Sequence, residues 1–147
     1  MSFLTWCNMR TKPIPSIEGA YAREDGMIKL PETAAIMPHG GSRVYKTKWV
    51  RGVIRRASKT ARHSYYGILY KGKNYKVHRL VCEAFHGAPP EGSTVVLHLN
   101  EDGTDNRSEN IRWGTQKENL NADGFLAYCR SRTGENSPSV KGRMNKQ

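Results

Sequence analysis

Between Thr33 and Cys82 the chain has no aspartate or glutamate at all. A span of 50 residues without a carboxylate cannot neutralise its own basic side chains, which argues against a merely solvated face with alternating charge. Cysteine is also scarce. Cys7, Cys82 and Cys129 are far apart and odd in number, and no C-x-x-C pair occurs. That pattern argues against a structural zinc knuckle and against a disulfide framework, and it suits a reducing cytoplasm such as that of a bacterial host cell. No apolar run approaches the length needed to span a bilayer, so no membrane partner is expected. The N-terminus lacks a basic segment followed by an apolar stretch, so no signal peptide is expected. No internal repeat is present. Hydrophobic residues make up only 37%, enough for a modest core in a chain of 147 residues.

Against these absences stands an excess of positive charge. Lysine and arginine number 24 against 13 acidic residues, a net charge of +11. A polyanion is the natural partner, and nucleic acid is the commonest one. The carboxylate-free span holds Arg43, Lys46, Lys48, Arg51, Arg55, Arg56, Lys59, Arg62, Lys71, Lys73, Lys76 and Arg79, interleaved with Tyr45, Trp49, Tyr65, Tyr66, Tyr70 and Tyr75. Loose alternation over Arg43–Val53 and Tyr65–Lys76 predicts strands, with Gly72-Lys73-Asn74 as a hairpin turn. A basic sheet face suits a phosphate backbone. The polar stretch Arg55 to Ser64 reads as a mobile loop that orders on DNA.

The rest of the chain divides around this span. Pro13 and Pro15 give an extended entry, and Asp25-Gly26 predicts the turn of a hairpin over Tyr21–Leu30. Val77, Leu80, Val81, Ala84 and Phe85 form the stripe of an amphipathic helix with Cys82 in its core pattern; Gly87 and Pro89-Pro90 end it. A β-like run, Thr94–Leu97, leads into His98. A loop rich in Asp, Asn and Gly follows, then a short strand, Ile111-Arg112-Trp113, with Trp113 expected in the core. Thr115-Gln116-Lys117-Glu118 is a capping box. On a helix started there, Asn119 and Asp123 lie four residues apart and so share one face. Asn106 is expected to shape the loop, and His63 and His86 are assigned no role.

The order strand, loop, strand, helix, with a His on the first strand and oxygen ligands on the helix, resembles the ββα-metal motif of the HNH endonucleases. The phrases that carry the resemblance are His98, then Asn106-Arg107-Ser108-Glu109-Asn110-Ile111-Arg112-Trp113, which is similar to the "NRxENLxW" phrase of phage and intron-type members, then Thr115-Gln116-Lys117-Glu118-Asn119, similar to "T-x-x-E-N". Val77–Phe85 is similar to the "VHRLVxxAF" phrase that precedes the motif in this subfamily. Ile14–Tyr21 resembles, more weakly, a small accessory domain fused in front of such nucleases.

The resemblance implies an α+β protein with three parts: a basic β-rich accessory region for DNA contact over 1–74, the nuclease module over 75–128, and a flexible basic tail over 129–147. It implies metal-dependent cleavage of DNA, by nicking or by double-strand cutting, as in free-standing homing or phage-encoded endonucleases. By resemblance His98 is the base that takes a proton from water, Asn110 braces the base and the loop, Asn119 binds the metal and Asp123 is a second helix ligand. Amide and carboxylate oxygens favour magnesium or manganese over zinc. Arg107 and Arg112 join the basic residues as DNA contacts. A monomer is expected. One departure stands out: many relatives place a ligand just before the base, and here that residue is Leu97. Three readings stay open. The metal relies on Asn119, Asp123, waters and phosphate; or His78 stands in; or the chain is a weakened or inactive scaffold that binds DNA or protein.

Overall fold

The computed structural model describes residues 9–61 and 63–134. Strands β1 (Thr11–Pro13), β2 (Tyr21–Arg23), β3 (Ile28–Lys29) and β6 (Trp49–Val50) form an antiparallel sheet in that order. β2 and β3 are the arms of the expected hairpin, turning at Asp25-Gly26. β4 (Thr33–Ile36) and β5 (Ser42–Tyr45) make a second hairpin, largely exposed, with Ile36 88% accessible. β7 (Val53–Arg56), β8 (Ser64–Tyr70) and β9 (Lys73–Lys76) form a third sheet. Its β8–β9 turn falls on Lys71-Gly72, one residue earlier than the sequence suggests; both residues take positive φ.

Helix α1 (Val77–His86) follows directly, and its apolar stripe explains its position. Val77, Leu80, Val81 and Cys82 are buried; Ala84 and Phe85 are partly so. They meet Ile14, Ile17, Ala20, Ala22 and Ile28 from the N-terminal sheet, Ile68 from β8, and Val96 and Ile111 from the hairpin that follows. One cluster therefore unites residues from before and after position 75. Each fully buried aliphatic in it, such as Ile28, Val77 or Ile111, contributes about 1.5–3 kcal/mol.

The hairpin of β10 (Val95–His98) and β11 (Ile111–Gly114) pairs His98 with Ile111 and Leu97 with Arg112. Trp113 is half-buried against the core and donates its indole N–H to the Gly87 carbonyl at 2.9 Å. The Thr115 capping box forms as expected: the Glu118 N–H donates to Thr115 Oγ1 at 3.1 Å, and the Thr115 N–H donates to Glu118 Oε2 at 2.7 Å. The fold is α+β: α1 separates the first nine strands from the β10–β11 hairpin, and two more helices follow that hairpin.

Three expectations are corrected. The capped helix does not continue through Asp123. α2 (Gln116–Leu120) ends at Asn121, Ala122 is extended, and α3 (Asp123–Ser131) starts anew, so Asn119 and Asp123 sit on different helices. The cause is local: Asn119, Asn121, Asp123 and Gly124 all favour caps and turns over helix interiors. In addition, the Glu101 carboxylate accepts the Gly124 N–H at 3.0 Å and stabilises the new helix start. Second, Arg55 and Arg56 are not loop residues; they lie on β7, paired with Tyr65 and Ser64. Among the described residues of this stretch, 57–61 and 63 lie outside the strands. Third, α3 runs to Ser131, past the expected start of the tail at 129; residues 135–147 lie outside the described residues.

Candidate active site

His98 ends β10, where the pleat turns it to the same face as buried Val96, towards α1. There its ring meets His78 of α1 edge to face, centroids 5.4 Å apart; His78 meets Tyr65 in the same way at 6.0 Å. His98 Nε2–H donates to Asn106 Oδ1 at 3.1 Å. Burial holds the His98 imidazole below its usual pKa. The Asn106 bond and the nearby Asp102 and Asp105 carboxylates oppose that shift. Burial acts more strongly on His78, whose pKa falls to about 3, so its ring is neutral; its Nδ1 is buried without a hydrogen-bond partner.

The loop from Leu99 to Asn110 is folded around Asn110, which is 6% exposed. Asn110 Nδ2 donates to Asn100 Oδ1 and to the Asp105 carbonyl, both at 2.9 Å, and its Oδ1 accepts the Asn100 N–H at 3.1 Å. Asn100 Nδ2 donates to Asp105 Oδ2 at 2.8 Å, and the Asp102 carboxylate accepts from Thr104. Arg107 holds Asp105 through two bonds, at 2.9 and 2.8 Å, keeping that carboxyl below its usual range. The Asn110 side chain thus bonds to Asn100 and Asp105 and ties the loop to the strand end.

A cleft of about 740 Å³ opens between β8, β10, α1 and the helices after β11. His78, His98, Asn119 and Asp123 all line it, with His63, Glu101, Arg112 and Glu118. Asn110 does not. Leu97, next to His98 on β10, also lines this cleft, and its side chain covers Gly114: a Cβ on that glycine would stand 2.3 Å from Leu97 Cδ1 and 3.0 Å from Glu118 Oε2. The position before His98 therefore carries packing and no donor. Asn119 and Asp123 offer hard oxygens, and His78 Nδ1 offers an unused nitrogen. Among the described residues no three His, Cys, Asp or Glu side chains stand close enough to hold an ion by themselves. By their chemistry, amide and carboxylate oxygens suit a hard divalent cation that keeps several waters.

The basic residues spread over the exposed strands. Arg43 stacks over Tyr45 with its guanidinium 5.1 Å from the ring centre, Lys71 over Tyr70 at 5.5 Å, Lys73 over Tyr75 at 5.0 Å and Lys76 over Tyr65 at 5.3 Å. Lys46, Lys48 and Arg51 lie in the connections flanking β6, Arg55 and Arg56 on exposed β7, and Lys59 in the loop after it. Arg62 lies outside the described residues. Arg107 and Arg112 are engaged by carboxylates: Arg107 by Asp105 and Glu109, Arg112 by Glu118 at 3.2 Å.

Asn106, expected to shape the loop through backbone bonds, instead accepts from the His98 ring with its Nδ2 unpartnered, while the sequence alone assigns no role to Glu101, His63 and His86. His86 Nε2–H donates to the Ser108 carbonyl at 2.8 Å, joining α1 to the loop. The bonds of Glu101 and His86 join segments distant in the sequence, so no local signal marks them.

Residues 75–121 match the family described as HNH endonuclease. A protein of Acanthamoeba polyphaga mimivirus, described as the uncharacterized HNH endonuclease L247, is 39% identical over 69 residues, which cover 43% of this chain. The chain spans 17% of that relative's length. Among solved structures, that of the HNH homing endonuclease I-HmuI, titled for DNA binding and cleavage, is similar with a TM-score of 0.47 and 26% identity, over 84% of this chain and 67% of the other. Among the described residues no helix is long and apolar enough to cross a membrane.

Proposed function

We propose that this chain, whose residues 75–121 match the HNH endonuclease family, is a divalent-metal-dependent DNA endonuclease. The observation that carries the reading is His98: a neutral imidazole at a strand end, in a cleft whose other walls carry Asn119 and Asp123. With Nε2–H committed to Asn106, the ring's lone pair is on Nδ1. In this mechanism Nδ1 takes a proton from water as the water oxygen bonds to phosphorus. The phosphorus–oxygen bond to the leaving sugar breaks, and the leaving oxygen is protonated by solvent. Asn119 and Asp123 would hold the cation, with His78 as a further donor; when bound, it neutralises the phosphate and stabilises the leaving oxygen. Asn110 keeps the loop in shape. The exposed basic strands of residues 33–76 bind the DNA backbone, which leaves the ring of His98 free for chemistry.

A second reading is favoured by one observation. Leu97 packs against Gly114 where relatives place a ligand, so the chain would be an HNH scaffold that binds DNA or protein without cutting. Nicking of supercoiled plasmid by the purified protein, with manganese or magnesium and with chelator, separates the two. Metal-dependent relaxation supports the nuclease. Tight DNA binding with no nicking in any metal supports the scaffold.

A further inference from the structure

Asn106 is 4% exposed, and its side chain is only half satisfied. Its Nδ2 is buried with no partner, and an orphaned buried donor comes at a cost in stability. An apolar residue of similar volume would avoid that cost. What Asn106 does make is the bond from His98 Nε2–H to its Oδ1, at 3.1 Å. A neutral imidazole has one N–H, and the partner of that N–H decides which nitrogen keeps the lone pair.

Asn106 is in turn supported from the N-terminal sheet. Gly26, at the β2–β3 turn, has φ +92°, and a Cβ there would stand 2.9 Å from Asn106 Cβ and 3.0 Å from its carbonyl carbon and oxygen. Only a glycine lets the turn seat so closely. The turn is itself fixed: Arg23 grips the Asp25 carboxylate through two bonds, at 2.9 and 2.7 Å, and Asp25 Oδ1 accepts the Met27 N–H at 3.2 Å. The Ser108 N–H donates to the Glu24 carbonyl at 2.8 Å, joining the turn to the chain two residues beyond Asn106.

We propose that Asn106 is the positioning residue for His98, fixing its ring as the Nε2–H tautomer, and that the Arg23–Gly26 turn is the backstop that holds Asn106 in place. The N-terminal region thereby helps to assemble the catalytic geometry as well as offering charge to DNA. This rests on His98 being the general base.

The test uses the full chain, ¹⁵N-labelled and metal-free, with long-range ¹H–¹⁵N correlation spectra of the histidine rings and His98→Ala to assign the signal. Wild type should show the Nε2–H tautomer. Asn106→Asp keeps an acceptor and should keep that tautomer; Asn106→Leu should lose it. In plasmid nicking with manganese, Asn106→Leu should lower kcat about 10-fold or more at unchanged KM, as expected for loss of a partner that orients a site histidine, and Asn106→Asp should recover it. Gly26→Ala tests the backstop, and Asp25→Ala loosens the same turn without a clash; either should give a mixed or broadened His98 signal. An Nδ1–H tautomer in wild type, or an unchanged His98 signal in Asn106→Leu, overturns the positioning role. A wild-type signal in both Asp25→Ala and folded Gly26→Ala overturns the backstop. If His98→Ala nicks as fast as wild type, the base assignment is what fails. If His98→Ala is inert while Asn106→Leu keeps wild-type kcat, only the present proposal fails.

Discussion

Replacing Asn110 with alanine should destabilise the protein by about 3 kcal/mol while leaving the core untouched. The figure comes from three side-chain hydrogen bonds of 2.9 to 3.1 Å, to Asn100 Oδ1, the Asp105 carbonyl and the Asn100 N–H, each worth about 1 kcal/mol net. Asn100 is exposed and Asp105 half-buried, so water can replace part of what is lost. That places the expected loss at about 2–3 kcal/mol and not above it. Asn110→Asp is the control, because it keeps the shape and one acceptor but removes both donors and sets a carboxylate against two oxygens. It should lose at least as much. Urea unfolding followed by the fluorescence of Trp49 and Trp113 measures both, since one shared core supports a single cooperative transition. A fall in the midpoint with an unchanged slope is expected. A loss under about 1 kcal/mol in both variants would refute the role of Asn110 as the loop's brace.

The basic strands, the buried histidine and the missing ligand each give a further test. Replacing Arg55 and Arg56 with alanine should weaken DNA binding alike for all sequences and flatten the salt dependence by about two, at about 0.9 per phosphate contact; an unchanged slope would remove β7 from the interface. Burial lowers the His78 pKa from 6.5 to about 3, so the unfolded chain takes up a proton that the folded ring refuses. Stability from this group is present above pH 6.5 and is lost as pH falls towards 3. Between pH 7 and pH 5 in chelator it should cost about 2 kcal/mol, and His78→Phe should show that much less acid sensitivity; equal sensitivity would contradict the burial account. Leu97→Asp should raise metal-dependent nicking by about 10-fold, the scale on which metal-site partners act. No gain would indicate that the site does not lack a ligand there.

Much of this architecture was legible in the residues because it is set locally. The stripe from Val77 to Phe85 required a helix with a buried face, the Thr115–Glu118 box marked where α2 begins, and Asp25-Gly26 marked a turn. What escaped was set across the fold. The break at Asn121 depends partly on a Glu101 carboxylate that arrives from the loop, and periodicity over 119–123 could not reveal it. The assignment of Arg55 and Arg56 to β7 depends on pairing with Tyr65 and Ser64, because their own polarity resembles that of a loop. At the site, the cleft gathers His78, His98, Asn119 and Asp123, all four visible in the sequence, but Asn106 becomes notable only when its side chain is seen against His98 with Gly26 behind it.

In the proposed mechanism His98 activates water in a metal-dependent cut. His98→Ala removes the ring and leaves the basic strands intact, and base catalysis is worth about 10²- to 10⁴-fold. Nicking of supercoiled plasmid in manganese, with contaminating nuclease excluded, should fall by that factor, while DNA affinity and the unfolding midpoint stay near wild type. Equal nicking by wild type and His98→Ala would contradict the claim.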